Sequence, residues 1–306
     1  MDHTWTFIYC RSCIVLALSF AALTSCIGSD SPNFKRVGSM SQALIGPTTI
    51  LLKDNSVLVL SPCQGAELYN PETKVFKPLK HVEIGHNVNG HVTFNGIEPS
   101  SLFDSALIDY VAQIPSSSLK RAGFSRTLLP SGLVLIIGGD AEQVISTDIE
   151  IYNPKTKELR HIGRLCYPRS GHQATLLSNG DIVVTGGSPD GIPAEIIDGK
   201  SLIARSLDTT LASRMHHTAI RLKDDRILLI GGDRYPASQE RDVEIFEPSQ
   251  DKCAPMGPLN EDRALAAAAV LPDGSVLIAG GRPITVTDFD WLRSAETYNP
   301  QIQEKK

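Results

Sequence analysis

The chain has 306 residues, of which 42% are hydrophobic and 21% are charged, and its formal net charge at pH 7 is −5. This length suits a single closed repeat architecture, and a negative net charge provides no general field for binding nucleic acid or an anionic membrane surface. With 24 glycines and 19 prolines, the composition favours an all-β chain with many tight turns over a helical bundle or a disordered tail.

The first 25 residues are predicted to be a signal peptide. A short N-terminal region ends at Arg11, and residues 13–23 form an apolar stretch that is too short to span a bilayer. Residues 23–26, Leu-Thr-Ser-Cys, resemble the lipobox of bacterial lipoproteins, in which the cysteine thiol accepts diacylglycerol. The resemblance implies that Cys26 is lipidated, that residues 26–32 are the lipidated cysteine and a linker, and that the protein is exported and lipid-anchored at the bacterial cell envelope. A plain secretory signal or an uncleaved anchor is the alternative.

The cysteines that lie beyond the leader do not form a recognisable framework. Cys63, Cys166 and Cys253 are three in number and far apart, so they cannot all pair internally and do not have the clustered spacing of a zinc site. We predict free thiols, with no metal and no cofactor.

Residues 33–306 are predicted to form one repeat domain whose first two units are degenerate. In the first unit, the apolar residues 51–60 are followed by a strand at 66–71, and Ser61 and Pro62 occupy the place where later units have two glycines. In the second, residues 89–94 are the predicted inner strand, 105–110 a middle strand and 111–114 the outer strand. A long insertion in place of this second unit is the alternative.

Four later segments, 121–140, 169–188, 214–233 and 263–282, align with one another. Each opens with an arginine, contains two apolar strands joined by a turn, and closes on a pair of glycines. The arginines, about 45 to 49 residues apart, are Arg121, Arg169, Arg214 and Arg263. This period is typical of a four-stranded propeller blade. A further strand that ends at a proline recurs at 148–154, 242–248 and 295–300.

The outer strand of the last unit is missing from the C-terminal end of the chain. Outer strands follow at 159–165 and 253–259, and residues 34–40 have the same spacing of apolar residues and glycine. We therefore predict that this N-terminal strand closes the C-terminal blade and removes an open sheet edge.

The paired glycines, the Glu-x-Tyr-Asn-Pro strand and the closing strand resemble the kelch family of β-propellers over nearly everything after residue 33. The resemblance implies an all-β, kelch-type β-propeller. Six blades are expected, of which the first two are degenerate, with five blades as the alternative. Kelch folds serve enzymes, adaptors and structural proteins, so the fold alone does not assign a function.

The four arginines are predicted to lie around the mouth of the central channel. As ligand-binding residues they would form a ring suited to a carboxylate, a sialic-acid-like sugar or an acidic peptide. The alternative is that each arginine bonds carbonyl groups or an acidic group such as Asp140 or Asp233 and fastens one blade to the next.

Two histidines follow these arginines at the same distance. His172 and His217 stand three residues after their arginines, and His216 adds a third imidazole, a grouping that would suit a metal site at the channel mouth. The equivalent positions in the other units hold Phe124 and Ala266, which favours packing. We retain His172 and His217 as candidate ligand contacts.

Four variable loops, 141–147, 189–193, 234–241 and 283–291, are predicted to project from one face. Tyr235 and Trp291 in these loops are candidate contacts for a sugar ring or a peptide, although Trp291 could instead pack over its own blade.

The predicted function is therefore binding, with the loops presented to a protein or glycan ligand. No nucleic acid is expected as a partner, and the membrane is contacted through the lipid anchor alone. The sequence does not indicate an oligomeric state. The alternative is a periplasmic carbohydrate-active enzyme resembling a sialic-acid mutarotase or a sugar oxidase. No nucleophile elbow, phosphate loop or clustered carboxylate pair is present. Residues 214–222 resemble the repeat style of galactose oxidase, a copper enzyme with a related kelch core, but the full tyrosine, histidine and cross-linked cysteine constellation of that enzyme cannot be placed on this chain.

Overall fold

A computed structural model of the protein describes residues 31–44, 46–61, 65–79, 84–86, 92–94, 121–210, 213–233, 242–284 and 291–300. Within these ranges the chain forms 24 β-strands and no α-helix. The described part of the chain accordingly offers no helix with the length and apolar character needed to cross a membrane. The predicted signal peptide, Cys26 and Tyr235 lie outside the described residues.

The chain begins with β1 (Phe34–Val37), which joins the last sheet. The first four-stranded sheet consists of β2 (Thr48–Leu51), β3 (Val57–Ser61), β4 (Gly65–Asn70) and β5 (Val75–Pro78). The strands β6 (Ile84–His86) and β7 (Val92–Phe94) then pair as a separate two-stranded sheet.

The second, third and fourth sheets follow in chain order, and three strands of the fifth sheet come last. The second sheet has β8 (Ser125–Leu128), β9 (Val134–Ile137), β12 (Asp148–Asn153) and β13 (Glu158–Arg164), with β10 (Asp140–Ala141) and β11 (Val144–Ile145) as a small hairpin in its loop. The third has β14 (Gln173–Leu176), β15 (Ile182–Thr185), β16 (Pro193–Ile197) and β17 (Ala204–Thr210). The fourth has β18 (Thr218–Arg221), β19 (Ile227–Ile230), β20 (Asp242–Glu247) and β21 (Lys252–Pro258). The fifth has β22 (Ala267–Val270), β23 (Val276–Ala279), β24 (Ala295–Tyr298) and β1.

The five sheets are arranged as a β-propeller, which confirms the predicted fold. Their inner strands contact one another in the order β8, β14, β18, β22 and β2. The second strand of each sheet is buried along its whole length, because both faces of the sheet pack against a neighbour. Apolar side chains of adjacent sheets form the core between them, as where Val183 of β15 joins Leu229 of β19 in one cluster.

The predicted closing strand is also confirmed. Strand β1 pairs antiparallel with β24, and its first residue, Phe34, lies opposite Tyr298. Phe34 is 1% exposed, and the centre of its ring is 5.2 Å from that of Tyr298. The side-chain amides of Asn33 and Asn260 also join this N-terminal segment to the end of β21 in the fourth sheet, by hydrogen bonds to the carbonyl oxygens of Met256 and Phe34 at 2.7 and 3.1 Å. The N-terminal strand thus completes the C-terminal sheet.

The described residues contain five four-stranded sheets, the number given as the alternative. Of the degenerate second unit, strand β7 falls within the predicted inner strand at 89–94, and it pairs with β6. The middle and outer strands predicted at 105–110 and 111–114 lie outside the described residues.

The paired glycines are sites of close contact between units. Gly231 has a φ of +57°, and a Cβ atom at this position would stand 2.0 Å from the carbonyl oxygen of Arg263 in the next unit. The second glycine, Gly232, donates its N–H to the same oxygen at 3.0 Å. A side chain at Gly231 would push these two units apart.

We expect Gly231→Ala to lower the free energy of unfolding by about 3 kcal/mol or more, because left-handed strain of about 1 kcal/mol adds to the steric conflict with the next unit. Chemical denaturation measures the loss. Gly274→Ala is the matched control: it also has a positive φ, of +86°, but open space around the new Cβ. Equal losses in the two variants would contradict this account of the glycine pair.

Candidate functional site

Each of the four predicted arginines lies four residues before the inner strand of its sheet, and the side chains of three of them are buried. Arg169 and Arg214 are 0% exposed and Arg263 is 1% exposed, whereas the side chain of Arg121 is 9% exposed. Each guanidinium pairs with a glutamate in the third strand of its own sheet, and these glutamates are Glu150, Glu195, Glu244 and Glu296. Their positive charges are therefore already neutralised within the sheets.

Arg169, Arg214 and Arg263 also connect two units, through their own glycine pair and the preceding one. Arg169 donates from Nη1 to the carbonyl oxygen of Gly186 in its own unit at 2.7 Å, while its backbone carbonyl accepts the N–H of Gly139 in the preceding unit at 2.8 Å. Arg263 repeats the arrangement with Gly280 and Gly232. The expected bonding to carbonyl groups is thus present, but the acidic partner is a glutamate of the same sheet and not Asp140 or Asp233.

The first sheet has a leucine where the other four sheets have the arginine. Leu44, which is fully buried, stands four residues before β2, where the other units have arginine. The glutamate of this sheet, Glu67, is also fully buried, and it accepts hydrogen bonds from the backbone N–H and hydroxyl of Ser41 at 3.0 and 2.8 Å. Two backbone N–H groups, of Ser41 and Gln42, and one hydroxyl thus bind this carboxylate in a sheet that has no arginine at the equivalent position.

The histidines that follow the arginines are buried against the preceding unit. Nε2 of His172 lies 2.8 Å from Oγ of Ser125, and Nε2 of His217 lies 2.9 Å from Oγ1 of Thr185. Burial lowers the pKa of His172 to about 3, and the charge of Arg169 acts in the same direction. Burial also lowers the pKa of His217 well below its ordinary value. Both imidazoles are neutral at pH 7, and each packs against the first glycine of the preceding pair.

A second row of residues forms hydrogen bonds around the channel. The residue two positions after each arginine has a positive φ, and it is glycine in two of the four units but His216 and Leu265 in the others. The N–H groups of Gly171, His216 and Leu265 each donate to the carbonyl of the equivalent residue in the preceding unit, at 2.7 to 2.8 Å. The row begins at Gly123. Backbone hydrogen bonds therefore link four successive units around the mouth.

Three polar side chains from the last two units meet at this mouth. Nδ1 of His216 lies 2.8 Å from Oδ2 of Asp233, and Nη2 of Arg282 lies 2.7 and 2.6 Å from the two carboxylate oxygens of Asp233. Their side chains are 38%, 30% and 27% exposed, respectively. Burial alone would raise the pKa of Asp233, but the hydrogen bond from His216 and the charge of Arg282 outweigh it and lower the pKa. The carboxylate is ionised and faces solvent.

A fourth polar side chain, Asp140, directly follows the glycine pair of the second sheet, as Asp233 and Arg282 follow the pairs of the fourth and fifth sheets. Oγ of Ser170 donates to Oδ2 of Asp140 at 2.8 Å, and Asp140 is half-buried. Asp140 also begins the hairpin of β10 and β11, whose second strand exposes Val144 at 69%. Trp291 is half-buried at the edge of another loop. We call Asp140, His216, Asp233 and Arg282 the mouth arc.

Two clefts lie at the opposite, hairpin-turn end of the sheets. One, of about 590 Å³, separates the first and last sheets and is lined in part by Lys74 and Asp273. The other, of about 410 Å³, separates the third and fourth sheets. Both run between neighbouring sheets and are lined by turn residues, so the repeat itself produces them. Among the described residues, no three histidine, cysteine or acidic side chains are placed to hold a metal ion.

Sequence comparison adds no assignment, because no family model and no curated protein matches the chain. The mouth arc was not predicted as a site, although the alignment of the repeats contained a signal for it. His216 occupies a column that holds glycine in two other units, and Arg282 occupies the position of Asp140 and Asp233 after the glycine pair.

Proposed function

We propose that the protein is an exported, lipid-anchored binding module of the kelch type, and that it presents the channel mouth and its loops to a protein or glycan ligand. The observation that supports this proposal is the mouth arc. Its side chains lie outside the network of arginine, glutamate and glycine that holds the sheets together, and all four are partly exposed to solvent. Polar groups of this kind on a rigid scaffold are typical of ligand sites.

The buried arginines Arg121, Arg169, Arg214 and Arg263 contribute to this function by holding the mouth in shape. An anion could reach their guanidinium groups only by displacing a glutamate carboxylate, so Arg282 is the cation best placed to contact a ligand. Trp291 and the exposed hairpin tip extend the same surface.

Replacing Arg282 tests the proposal. We expect Arg282→Ala to reduce ligand binding on parallel glycan and peptide arrays at least tenfold, because the arginine both contacts the ligand and fixes Asp233. Arg226→Ala is the matched control: its side chain is 29% exposed and pairs with Asp224 at 2.7 Å, but it lies at the turn end. Failure of the unmodified protein to bind on either array would refute the binding function, and equal binding by both variants would exclude the mouth as the site.

A periplasmic carbohydrate-active enzyme remains the second candidate, and one contact favours it. Nδ1 of His216 donates to the carboxylate of Asp233, and in the neutral form of the imidazole this places the lone pair on Nε2, which is the arrangement of a general base. Anomer interconversion of sugars, followed by polarimetry with the protein and with its His216→Gly variant, distinguishes catalysis from binding.

A further inference from the structure

We propose that the mouth arc is a carbohydrate site in which His216 makes the decisive contact with ligand hydroxyl groups; this inference rests on the proposed binding function. Asp140, Asp233 and Arg282 complete the site. Three observations carry it: the backbone conformation of His216, the way its imidazole is held, and the balance of charges and hydrogen-bonding groups around it.

His216 occupies a position where its side chain is unfavourable for the backbone. Its φ is +55°, whereas the equivalent residues in two other units are the glycines Gly123 and Gly171, with φ of +65° and +67°. The only backbone bonds required here, the N–H to Gly171 and the carbonyl to Leu265, can be made by glycine as well. Leu265 in the next unit shares this φ of +55°, so the strain does not by itself assign a role, but it shows that glycine can replace His216 without loss of a backbone bond.

The imidazole is held rigidly with its second nitrogen available. Asp233 accepts the Nδ1–H, and Arg282 fixes Asp233 from the next unit. On the other side the ring lies against Gly171, where a Cβ atom would be 3.0 Å from both Cδ2 and Nε2 of His216. The glycine therefore leaves the space that the ring occupies. A ring fixed from two sides loses little conformational entropy when it binds a ligand.

The charges of the site favour a ligand with hydroxyl groups over an anion. The described arginines of the repeat are neutralised by glutamates, and Arg282 is neutralised by Asp233. This leaves the carboxylate of Asp140, of which Oδ2 accepts from Ser170, so the arc carries a small excess of negative charge. Arg282 uses only Nη2 for Asp233, and Nη1 has a distant contact of 3.5 Å to the carbonyl oxygen of Pro283. Nη1 of Arg282 can therefore donate to a ligand oxygen, and Asp140 can accept a hydrogen bond from a ligand hydroxyl group.

The test compares two variants that relieve the same backbone strain. We expect His216→Gly to bind neutral glycans on an array at least tenfold more weakly than the unmodified protein, while Leu265→Gly, whose φ is also +55°, binds them unchanged. Both variants should unfold at a temperature no lower than the unmodified protein, and about 2 °C higher if the strain is fully released. His216→Asn, which also tolerates a positive φ, should lose binding like His216→Gly.

Four results would overturn the inference, and they separate it from the proposed function. Equal glycan binding by His216→Gly and the unmodified protein would exclude the role of His216, and a clear drop in its unfolding temperature would show a structural role instead. Binding confined to uronic-acid glycans or to peptides would exclude a neutral carbohydrate but keep the binding module. If neither array shows any binding, the proposed function itself is wrong and the inference fails with it.

Discussion

Deletion of residues 33–41 should lower the free energy of unfolding by at least about 5 kcal/mol. The deletion removes β1 from the fifth sheet, leaves the hydrogen-bonding groups of β24 unpaired, and empties the buried site of Phe34, whose loss alone is worth about 3 to 5 kcal/mol. The exposed strand edge should also promote aggregation. Thermal and chemical denaturation, followed by circular dichroism, measure the change in stability, and light scattering measures the association.

Two point variants test whether the loss of stability arises where β1 packs against β24. Phe34→Ala should reproduce most of the loss without shortening the chain, since Phe34 packs on Tyr298 and is 1% exposed. Val75→Ala, in the outer strand β5 of the first sheet, is 56% exposed and should change stability by less than about 0.5 kcal/mol. A deleted form as stable as the intact protein would show that the ring does not depend on its N-terminal strand.

Glu195→Ala should destabilise the protein by about 3 to 5 kcal/mol, because it leaves the guanidinium of Arg169 buried without its carboxylate. Glu195 is 0% exposed and accepts Nε–H of Arg169 at 3.0 Å and the backbone N–H of Tyr167 at 3.2 Å. Burial lowers the pKa of Arg169, and Glu195 is the main group that opposes this effect. Urea denaturation of the variant gives the free energy directly.

Two further variants distinguish the loss of the buried ion pair from a loss of side-chain packing. The double replacement Arg169→Met with Glu195→Leu removes both charges and should recover a large part of the stability lost in Glu195→Ala. Arg221→Ala breaks a pair whose side chains are 41% and 34% exposed, and should cost less than about 1 kcal/mol. A double variant that is less stable than Glu195→Ala would argue that the pair supplies hydrogen bonds that apolar residues cannot replace.

Most of the fold could be predicted from the sequence because its repeated features are local. The two apolar strands, the turn and the glycine pair lie within twenty residues in each of the four aligned segments, and β9, β15, β19 and β23 fall within those segments. The closing strand was predictable because the last unit lacks an outer strand that its neighbours have. The hairpin of β10 and β11 was not, since Glu142 and Gln143 at its tip adopt positive φ without the glycine that usually indicates such a turn.

The partners of the arginines could not be predicted because their spacing varies. Arg169 pairs with Glu195, which is 26 residues away, whereas Arg263 pairs with Glu296, which is 33 residues away. The loop between the second and third strands has a different length in each unit, so the pairs align in space and not in sequence. The same loops carry Asp140, Asp233 and Arg282, and only the geometry of the mouth brings these residues together with His216.

The pairing of β1 with β24 brings the start and the end of the propeller together. Phe34, at the start of β1, lies directly opposite Tyr298, at the end of β24, so the polypeptide enters and leaves the propeller at adjacent points of one antiparallel pair. A turn of a few residues could join them, as a hairpin loop joins any two such strands. The units then form a circle without a fixed beginning, and a circularly permuted chain could start in the turn of any other unit, such as at Gly180 or Gly274.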